Sequence, residues 1–266
     1  MVYNKNMEKR LDIYLAESFN LQSRNKAQTL IKKGNVLVNG KVSTKVGESI
    51  SENDTVEIID LDDYVSRGAY KLVKAIEVFG IDFTGKVVLD MGASTGGFTQ
   101  VCLESGAKKV YAVDVGKGEL NSLLATDRRV VNMEGTDVRN LTIKEVGGVE
   151  IVVGDLSFIS LKHILPKINS LFGKVECALL FKPQFECGKV LAKKSRGVIK
   201  DRKIHKELLK EFLDELNLYS YRLSGLTSSP IKGKEGNIEY LLHINGQYEL
   251  RVDVDKIVED AFAEFK

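Results

Sequence analysis

Residues 86–98 read KVVLDMGASTGGF, and this stretch decides the fold of the chain. An apolar strand pattern over 86–92 runs into a glycine-rich turn, and GGFTQVCLESGA (96–107) then opens a helix. A strand, a glycine turn and a helix in this order are typical of a parallel sheet that binds a nucleotide-like ligand at the turn. The rest of the chain can be interpreted outward from this unit.

Strands and helices alternate on from this turn. Further strands are predicted at 109–116, 130–133, 150–155 and 177–182, with helical stretches such as 159–172 and 206–219 between them. Two last strands, 221–231 and 237–244, would supply an antiparallel edge. Strands separated by helices indicate a parallel sheet with right-handed crossovers. We therefore predict an α/β fold with a Rossmann-like sheet over residues 67–266.

The glycine turn alone does not identify its ligand, because NAD, FAD and S-adenosylmethionine (SAM) sites share it. Asp90 stands just before the first glycine, where a carboxylate would repel a pyrophosphate but attract a sulfonium or an ammonium. Asp114 ends the next strand, where it could hold ribose hydroxyls, and Asp137 could accept from the adenine amino group. We predict SAM, bound by Asp90, Gly92, Ala93, Ser94, Gly96, Gly97, Phe98, Thr99, Asp114, Asp137 and Asp155.

Four charged residues are candidates for catalysis on the molecule that would accept a methyl group from SAM. Asp155 and Lys182 end two neighbouring strands at the carboxyl edge of the sheet, beside the crevice where ligands bind in this fold. Lys71 lies in a helix that begins SRGAYKL, and Glu239 starts the last strand. Their convergence is inferred from topology alone. Each is individually more typical of a surface charge, except Lys182, which follows the apolar run ALLF.

Residues 1–60 predict a separate small unit. A first helix over 8–18 would turn Leu11, Ile13, Leu15 and Phe19 inward. A second helix begins after Ser23 as N-cap and ends at Gly34, with Ala27, Leu30 and Ile31 inward. The stretch VLVNGKV (36–42) has the Asn-Gly centre of a β-hairpin, and TVEII (55–59) would close the unit.

The net charge of +2 conceals an uneven distribution. Residues 1–46 carry nine Lys and Arg against three acids, 47–63 carry seven acids and no base, and 189–206 carry eight bases and one acid. Two basic blocks favour a polyanion partner, because each neutralised phosphate releases counterions. We expect 189–206 to be a loop that grips phosphates near the crevice. The candidate nucleic-acid contacts are Arg10, Arg24, Lys26, Lys32, Lys45, Arg67, Lys189, Lys193 and Arg196.

Composition excludes several classes of protein. The 266 residues are 43% hydrophobic and 29% charged, which is ordinary for a globular chain. No apolar run approaches the roughly 20 residues of a membrane helix. The N-terminus shows no apolar signal core. Cys102, Cys177 and Cys187 are scattered, so neither a disulfide framework nor a metal site is expected. We expect a cytoplasmic, monomeric protein that requires no metal.

Taken together, these motifs resemble the TlyA family of ribosomal RNA 2′-O-ribose methyltransferases, often called hemolysins. The resemblance covers essentially the whole chain and is carried by SRGAYKL, LDMGASTGGFT, YAVDVG, GDLSFISL, FKPQFE, GVIKD and SPIKGKEGNIEYL. The N-terminal unit resembles the small RNA-binding domain of ribosomal protein S-four, which implies contact with structured RNA. The second part is also similar to the FtsJ/RrmJ methyltransferases, whose Lys-Asp-Lys-Glu tetrad maps onto Lys71, Asp155, Lys182 and Glu239.

The resemblance implies an RNA-binding domain over 1–60, a linker over 61–66 and a SAM-dependent methyltransferase domain over 67–266. The linker reads Asp62-Asp63-Tyr64-Val65, whereas some relatives carry a basic residue and a tryptophan there. It implies methylation of a cytidine in ribosomal RNA, in 23S RNA of the large subunit first and 16S RNA second. Lys182 would act either as a base of lowered pKa, with Lys71 lowering it, or as a cation that steers the hydroxyl.

Four other functions compete with this interpretation. Amino-group methylation would favour an Asn-Pro-Pro-Tyr-like loop where this chain has Asp-Leu-Ser-Phe (155–158), and carbon-5 methylation would need a nucleophile such as Cys187. A pore-forming hemolysin is a different class, opposed by the missing membrane-length run. A non-catalytic RNA-binding assembly factor would keep the fold, and loss of methyl transfer without loss of RNA binding in Lys182→Ala would argue against it.

Overall fold

The computed structural model describes residues 9–19, 21, 23–32, 34–51, 53–58, 64–246 and 248–265. The chain divides into two compact units, residues 1–63 and 64–266. The first half of the predicted linker, 61–63, lies outside the described residues. Residues 64–66 belong to the second unit, where the Val65 amide donates to Gln100 Oε1 at 2.8 Å.

The N-terminal unit contains the two helices, the hairpin and the closing strand that the sequence predicted, and two further short strands, Lys9–Arg10 and Ser49–Ile50, that it did not. They are β1 (Lys9–Arg10), α1 (Leu11–Ser18), α2 (Arg24–Lys32), β2 (Val36–Val38), β3 (Lys41–Val42), β4 (Ser49–Ile50) and β5 (Val56–Ile58). An antiparallel sheet has the order β3-β2-β5, and β1 pairs with β4. Asn39 and Gly40, with φ of 53° and 73°, turn the hairpin between β2 and β3. The hairpin and its closing strand are confirmed.

The core of this unit differs from the predicted one at the end of α1. Leu11 and Leu15 of α1 are fully buried, and Ala27 and Ile31 of α2 pack in the same cluster. The prediction for Phe19 is wrong, since this side chain is 38% exposed. Helix α1 ends at Ser18, so Phe19 lies beyond the face that packs on α2.

A buried carboxylate ties the two helices of the unit together. Asp12 is fully buried in α1 and accepts from Arg10 Nε at 3.0 Å, Arg24 Nε at 2.9 Å and Gln28 Nε2 at 2.9 Å. Burial alone would raise the pKa of Asp12, but these donors hold it well below its usual range. Arg24 and Gln28 of α2 therefore point at Asp12.

The second unit is built from alternating strands and helices. They are α3 (Ala69–Phe79), β6 (Val87–Met91), α4 (Gly97–Glu104), β7 (Lys109–Asp114), α5 (Ser122–Ala125), β8 (Val130–Glu134), β9 (Ile151–Gly154), α6 (Leu165–Phe172), β10 (Glu176–Phe181), α7 (Pro183–Glu186), α8 (Gly188–Lys194), α9 (Arg202–Leu218), β11 (Leu223–Ser228), β12 (Tyr240–Ile244) and α10 (Val254–Glu264). Short 3-10 turns lie at Val138–Asn140 and Leu161–His163.

The sheet has seven strands in the order β11-β12-β10-β9-β6-β7-β8. Strands β6 to β10 run parallel, and β12 runs antiparallel to both β10 and β11. This confirms the predicted Rossmann-like sheet with an antiparallel edge. From β6 the chain builds outward through β7 and β8, and it then returns to the other side of β6 as β9. The reversal between β6 and β9 places the ligand crevice at their carboxyl ends.

The basic stretch 189–206 is not the loop that the sequence suggested. Its first part is α8 and its last part is the first turn of α9. In α9, Arg202 and Lys206 pair with Glu259 of α10 at 2.6 and 2.8 Å. Helix α10 had escaped prediction, although Val254, Val258 and Ala261 recur at helical spacing and are buried. These two bases therefore join two helices.

A buried imidazole ties the segment before α9 to the sheet, and it predicts acid sensitivity. His205 lies 3.0 Å from the Ile199 carbonyl through Nε2, which must donate, so Nδ1 accepts from the Tyr240 hydroxyl at 2.8 Å. Burial lowers the pKa of His205 below 6.5, although Asp201 opposes this. Below about pH 6.5 the unfolded chain therefore binds a proton that the folded chain does not, and stability falls by up to about 1.4 kcal/mol per pH unit.

We expect His205→Asn to flatten this dependence. Urea unfolding of both proteins between pH 7.5 and pH 5.5 measures it, with the exposed His163→Asn as control. An equally steep loss of stability in His205→Asn and in the unsubstituted protein would contradict the assignment.

Candidate active site

A cavity of about 1260 Å³ opens at the carboxyl edge of the sheet. Its walls come from the residues that follow β6, β7, β8, β9 and β10, including Gly92, Asp114, Asp137, Asp155 and Gln184. Parallel strands bring their carboxyl ends to one edge, so side chains that are distant in sequence meet there.

Asp155 is the centre of a charged cluster at this cavity. Lys182 Nζ lies 2.6 Å from Asp155 Oδ1, and Lys71 Nζ lies 3.2 Å from Asp155 Oδ2. Lys71 also contacts Glu239 Oε2 at 2.9 Å. Both lysine side chains are less than 10% exposed. The four residues proposed from topology are therefore in one connected group, with two amines on the same carboxylate.

The electrostatics of the cluster favour charged groups. Burial works to raise the pKa of Asp155, but the two ammonium groups outweigh it and lower this pKa. Burial likewise works to lower the pKa of Lys71, and the carboxylates of Asp155 and Glu239 outweigh it, so this pKa is raised. Lys71 is therefore an ammonium at neutral pH, with Asp155 as carboxylate beside it.

Two polar neighbours of the cluster had escaped sequence analysis. Lys182 Nζ donates to Ser157 Oγ at 3.0 Å, and Gln184 Nε2 donates to Glu239 Oε1 at 3.0 Å. Both neighbours belong to motifs that follow a strand end, GDLSF and FKPQFE, so their place directly after a charged strand terminus was the available signal. Glu239 itself stands one residue before β12.

The glycine turn after β6 brings backbone close to the cluster. Gly92 has φ of 81°, and a Cβ there would lie 3.1 Å from the Asp155 carbonyl oxygen. Only glycine allows this approach without strain. The Ser94 amide donates to Asp114 Oδ2 at 2.9 Å and the Gly116 amide to Asp114 Oδ1 at 2.7 Å, which fixes the Asp114 carboxylate at the cavity wall.

Five of the predicted cofactor residues line the cavity, namely Gly92, Ser94, Asp114, Asp137 and Asp155. Asp90 does not line it. This residue is fully buried behind the turn and accepts from Thr99 Oγ1 at 2.6 Å. Burial raises the pKa of Asp90 to about 7. Its predicted direct attraction to a cationic ligand is not supported by this position, since the side chain holds the start of α4 instead.

The other predicted cofactor residues shape the turn from behind. Ala93 is buried, and Phe98 and Thr99 face the core from α4. Side chains at Gly96 and Gly97 would collide with Leu124 and Ser66, respectively. These positions set how closely α4 packs beside the cavity.

Asp137 lines the cavity but already has a partner. Arg139 Nε lies 3.0 Å from Asp137 Oδ1, and the Arg139 amide donates to the same oxygen at 2.9 Å. The guanidinium lowers the pKa of Asp137. A ligand amino group would therefore share this carboxylate with Arg139.

Two aromatic rings stand at the cavity wall next to Lys182. The centroids of Phe158 and Phe185 are 5.2 Å apart, and Lys182 Nζ lies 5.7 Å from the Phe185 ring centre. Phe158 is 91% exposed and has φ of 64°, an unusual conformation for a bulky residue. Neither ring was predicted from the sequence to be part of the site.

The predicted RNA contacts are found in different settings. Arg10 and Arg24 bind Asp12, and each stays half-exposed. The Lys32 and Lys45 side chains are exposed on the first unit, where Lys26 lies in α2. On the second unit, Arg67, Lys193 and Arg196 are exposed. The side chain of Lys189 lies outside the described residues.

The residues that line the cavity fit the predicted SAM. Its sulfonium and ammonium are cationic and its ribose and adenine carry donors, and Asp114, Asp137 and Asp155 offer carboxylate oxygens. Within the described ranges, no group of three or more His, Cys, Asp or Glu is arranged to hold a metal ion. No helix in the described part of the chain is long and apolar enough to cross a membrane.

Comparison with known proteins identifies both units. The model of the FtsJ-like methyltransferase family matches residues 64–246, and the S4 domain matches residues 9–56. A solved structure from Streptococcus thermophilus is 34% identical, covers 98% of each chain and has a TM-score of 0.74.

Two curated relatives match nearly the whole chain. The 16S/23S rRNA (cytidine-2′-O)-methyltransferase TlyA of Mycobacterium tuberculosis is 38% identical over 95% of this chain and 95% of that protein. The 23S rRNA (cytidine-2′-O)-methyltransferase TlyA of Campylobacter jejuni is 38% identical over 88% of this chain and 98% of that protein.

Proposed function

This chain belongs to the TlyA family of FtsJ-like methyltransferases, and on that premise we propose that it methylates the 2′-hydroxyl of a cytidine in ribosomal RNA, with SAM as donor. The single observation that carries the proposal is the cluster in which Lys71 and Lys182 meet on Asp155 at the cavity. Such a cluster suits a reaction in which a weakly nucleophilic hydroxyl must be oriented and relieved of a proton.

The donor half of the cavity is assigned to the residues after β6, β7 and β8. Ser94 and Asp114 would hold the ribose and amino acid parts of SAM, and Asp137 would accept from the adenine amino group. When bound, SAM supplies an electrophilic methyl group. The turn at Gly92 keeps this half open beside Asp155.

Lys182 is assigned to the acceptor hydroxyl. Paired with Asp155, its ammonium donates to the hydroxyl oxygen and turns a lone pair toward the methyl group. As the oxygen–methyl bond forms, the methyl–sulfur bond would break and the hydroxyl proton would pass to water, because both carboxylates of the cluster are already paired with lysines. Lys71 is a positioning residue that holds Asp155 and Glu239 in place.

The S4 domain would dock the protein on the ribosomal subunit through phosphate and shape. Lys32 and Lys45 are exposed there, and Arg10 and Arg24 keep half of their surface open beside Asp12. The second unit would receive a flipped nucleotide. We assign the protein to the cytoplasm, where the subunits are, and expect it to act as a monomer.

We propose 23S RNA as the first target and 16S RNA as the second. Length does not distinguish them, because the chain spans 95% of a relative named for both RNAs and 98% of one named for 23S RNA. Mapping 2′-O-methyl groups in both RNAs, from cells with and without this protein, tests the assignment. A methylated cytidine that depends on the protein is expected, and identical maps would refute it.

A charge reversal at Lys32 tests the docking surface. Lys32→Glu is expected to weaken RNA binding roughly tenfold at low salt. The slope of log Kd against log salt concentration should fall by about one, as expected for the loss of one phosphate contact. Filter binding over a salt series measures both. Lys256→Glu, an exposed reversal in α10, is the control. Arg24→Glu is a poorer test, because the new glutamate carboxylate would face the buried carboxylate of Asp12 and would also destabilise the fold. Equal binding by Lys32→Glu and Lys256→Glu would remove Lys32 from the RNA surface.

A further inference from the structure

The strand order divides the cavity into two halves. Ser94, Asp114 and Asp137 follow β6, β7 and β8, whereas Gln184 follows β10. In the sheet, β10 is separated from β6 by β9, on the side away from β7, and neighbouring strands are about 4.8 Å apart. Gln184 therefore lies outside the half assigned to SAM, in the half that remains for the nucleotide that accepts the methyl group.

The amide of Gln184 has a fixed polarity. Its Nε2 donates to Glu239 Oε1 at 3.0 Å, while Glu239 Oε2 pairs with Lys71 at 2.9 Å. An ionised carboxylate only accepts, so reversing the amide would place two acceptor oxygens against each other. Gln184 therefore presents an acceptor, and not a donor, at Oε1.

This acceptor has no partner within the described part of the chain, although it is buried and Gln184 lines the cavity. Glu239, which holds the amide, has both carboxylate oxygens engaged, one by Lys71 and the other by Gln184. A buried acceptor without a partner is unfavourable, so a ligand that brings a donor to it gains binding energy.

A flat ring has a place beside this acceptor. Phe185 follows Gln184 directly and its ring lies 5.2 Å from that of Phe158, which is 91% exposed at the cavity wall. Exposed aromatic faces suit the face of a nucleobase. A base at these rings would have its edge near the Gln184 side chain.

We propose that Gln184 is a specificity-determining residue whose Oε1 accepts a hydrogen bond from the exocyclic amino group of the acceptor base, and so selects cytosine over uracil. The inference rests on the proposed RNA methylation, and it names the protein group that recognises the base of the methylated nucleotide. Cytosine offers an amino donor at this edge, whereas uracil offers a carbonyl oxygen. Uracil would therefore leave two acceptors facing each other, and a site built for a donor rejects such an analogue.

Two substitutions distinguish the two roles of Gln184, which are to present an acceptor at Oε1 and to hold Glu239 through Nε2. Gln184→Met keeps length and volume but removes both polar atoms. Gln184→Glu keeps an acceptor at the position but places a second carboxylate beside Glu239. The measurement is kcat/KM for tritiated-methyl transfer to two RNA fragments, with cytidine or uridine at the mapped target. Gln184→Met is expected to lose roughly ten- to a hundredfold of the preference for cytidine. Gln184→Glu is expected to be slower on both RNAs while keeping the preference.

The controls keep folding and function apart from base selection. Ser224→Ala removes another unpartnered buried polar atom, in β11, and should match the unsubstituted protein. SAM titration by calorimetry and thermal unfolding should show that Gln184→Met is folded. An unchanged cytidine preference in Gln184→Met would overturn the inference alone. Equal loss of preference in both variants would assign the effect to a displaced Glu239 and would also overturn it. No methyl transfer to either RNA by the unsubstituted protein would overturn the proposed function itself.

Discussion

Replacing Lys182 by methionine is expected to lower the rate of methyl transfer by about 10²–10⁴-fold. The side chain is 8% exposed, so methionine keeps most of its packing while removing the ammonium. The acceptor hydroxyl then loses the donor that orients its lone pair, and Asp155 loses its 2.6 Å partner. Because Lys182 lies after β10, whereas Ser94 and Asp114 lie after β6 and β7, SAM binding should change little.

Single-turnover transfer of a tritiated methyl group to ribosomal RNA measures the rate, and calorimetry measures SAM affinity. Lys256→Met, an exposed change in α10, is the control and should be fully active. A loss of RNA or SAM binding that accounts for the whole rate effect would contradict the catalytic assignment. Normal transfer by Lys182→Met would show that the reaction does not need Lys182.

Asp155→Asn is expected to cost about 3–5 kcal/mol of unfolding free energy, because it leaves two buried ammonium groups without their shared carboxylate. Lys71 would keep Glu239, but Lys182 would keep only two uncharged acceptors, the Ser157 hydroxyl at 3.0 Å and the Asp155 carbonyl at 3.5 Å. For a unit of this size, that cost corresponds to a fall of roughly 6–20 °C in Tm. Methyl transfer should be lost together with the stability.

The pH dependence gives the Asp155 prediction a second measurement. The pKa of Asp155 is lowered in the folded chain, so its pairing stabilises the fold above about pH 4 and is lost as pH falls through the folded value. Asp155→Asn should therefore lose less stability than the unsubstituted protein on acidification. Asp260→Asn, an exposed change in α10, is the control. An unchanged Tm in Asp155→Asn would show that the two amines need no shared carboxylate.

Several site residues could be predicted because they occupy strand termini. Asp114, Asp155 and Lys182 stand where a strand pattern ends, and parallel topology brings such positions to one edge. Asp90 shows the limit of this argument. It also stands at a strand end, but its side chain points into the core and meets Thr99, and sequence position does not reveal which face a terminal side chain takes.

The first unit shows the same limit. Helical spacing correctly predicted Leu11 and Leu15 as buried, yet it predicted Phe19 as buried and missed the burial of Asp12. A carboxylate can be fully buried only where other elements supply donors, and here Arg24 and Gln28 arrive from α2.

The sequence by itself determined the succession of the seven strands along the second unit, the hairpin at Asn39 and the glycine turn after β6. These features depend on residues within one turn or one strand of each other, so local periodicity and backbone preference are enough to specify them. Only the tertiary structure decided that Lys71 meets Glu239, 168 positions away, and that Gln184 faces the cavity with a fixed acceptor. Such contacts depend on which elements pack together, and the free energy of burying a charge or an amide is set by the partners that the completed fold supplies.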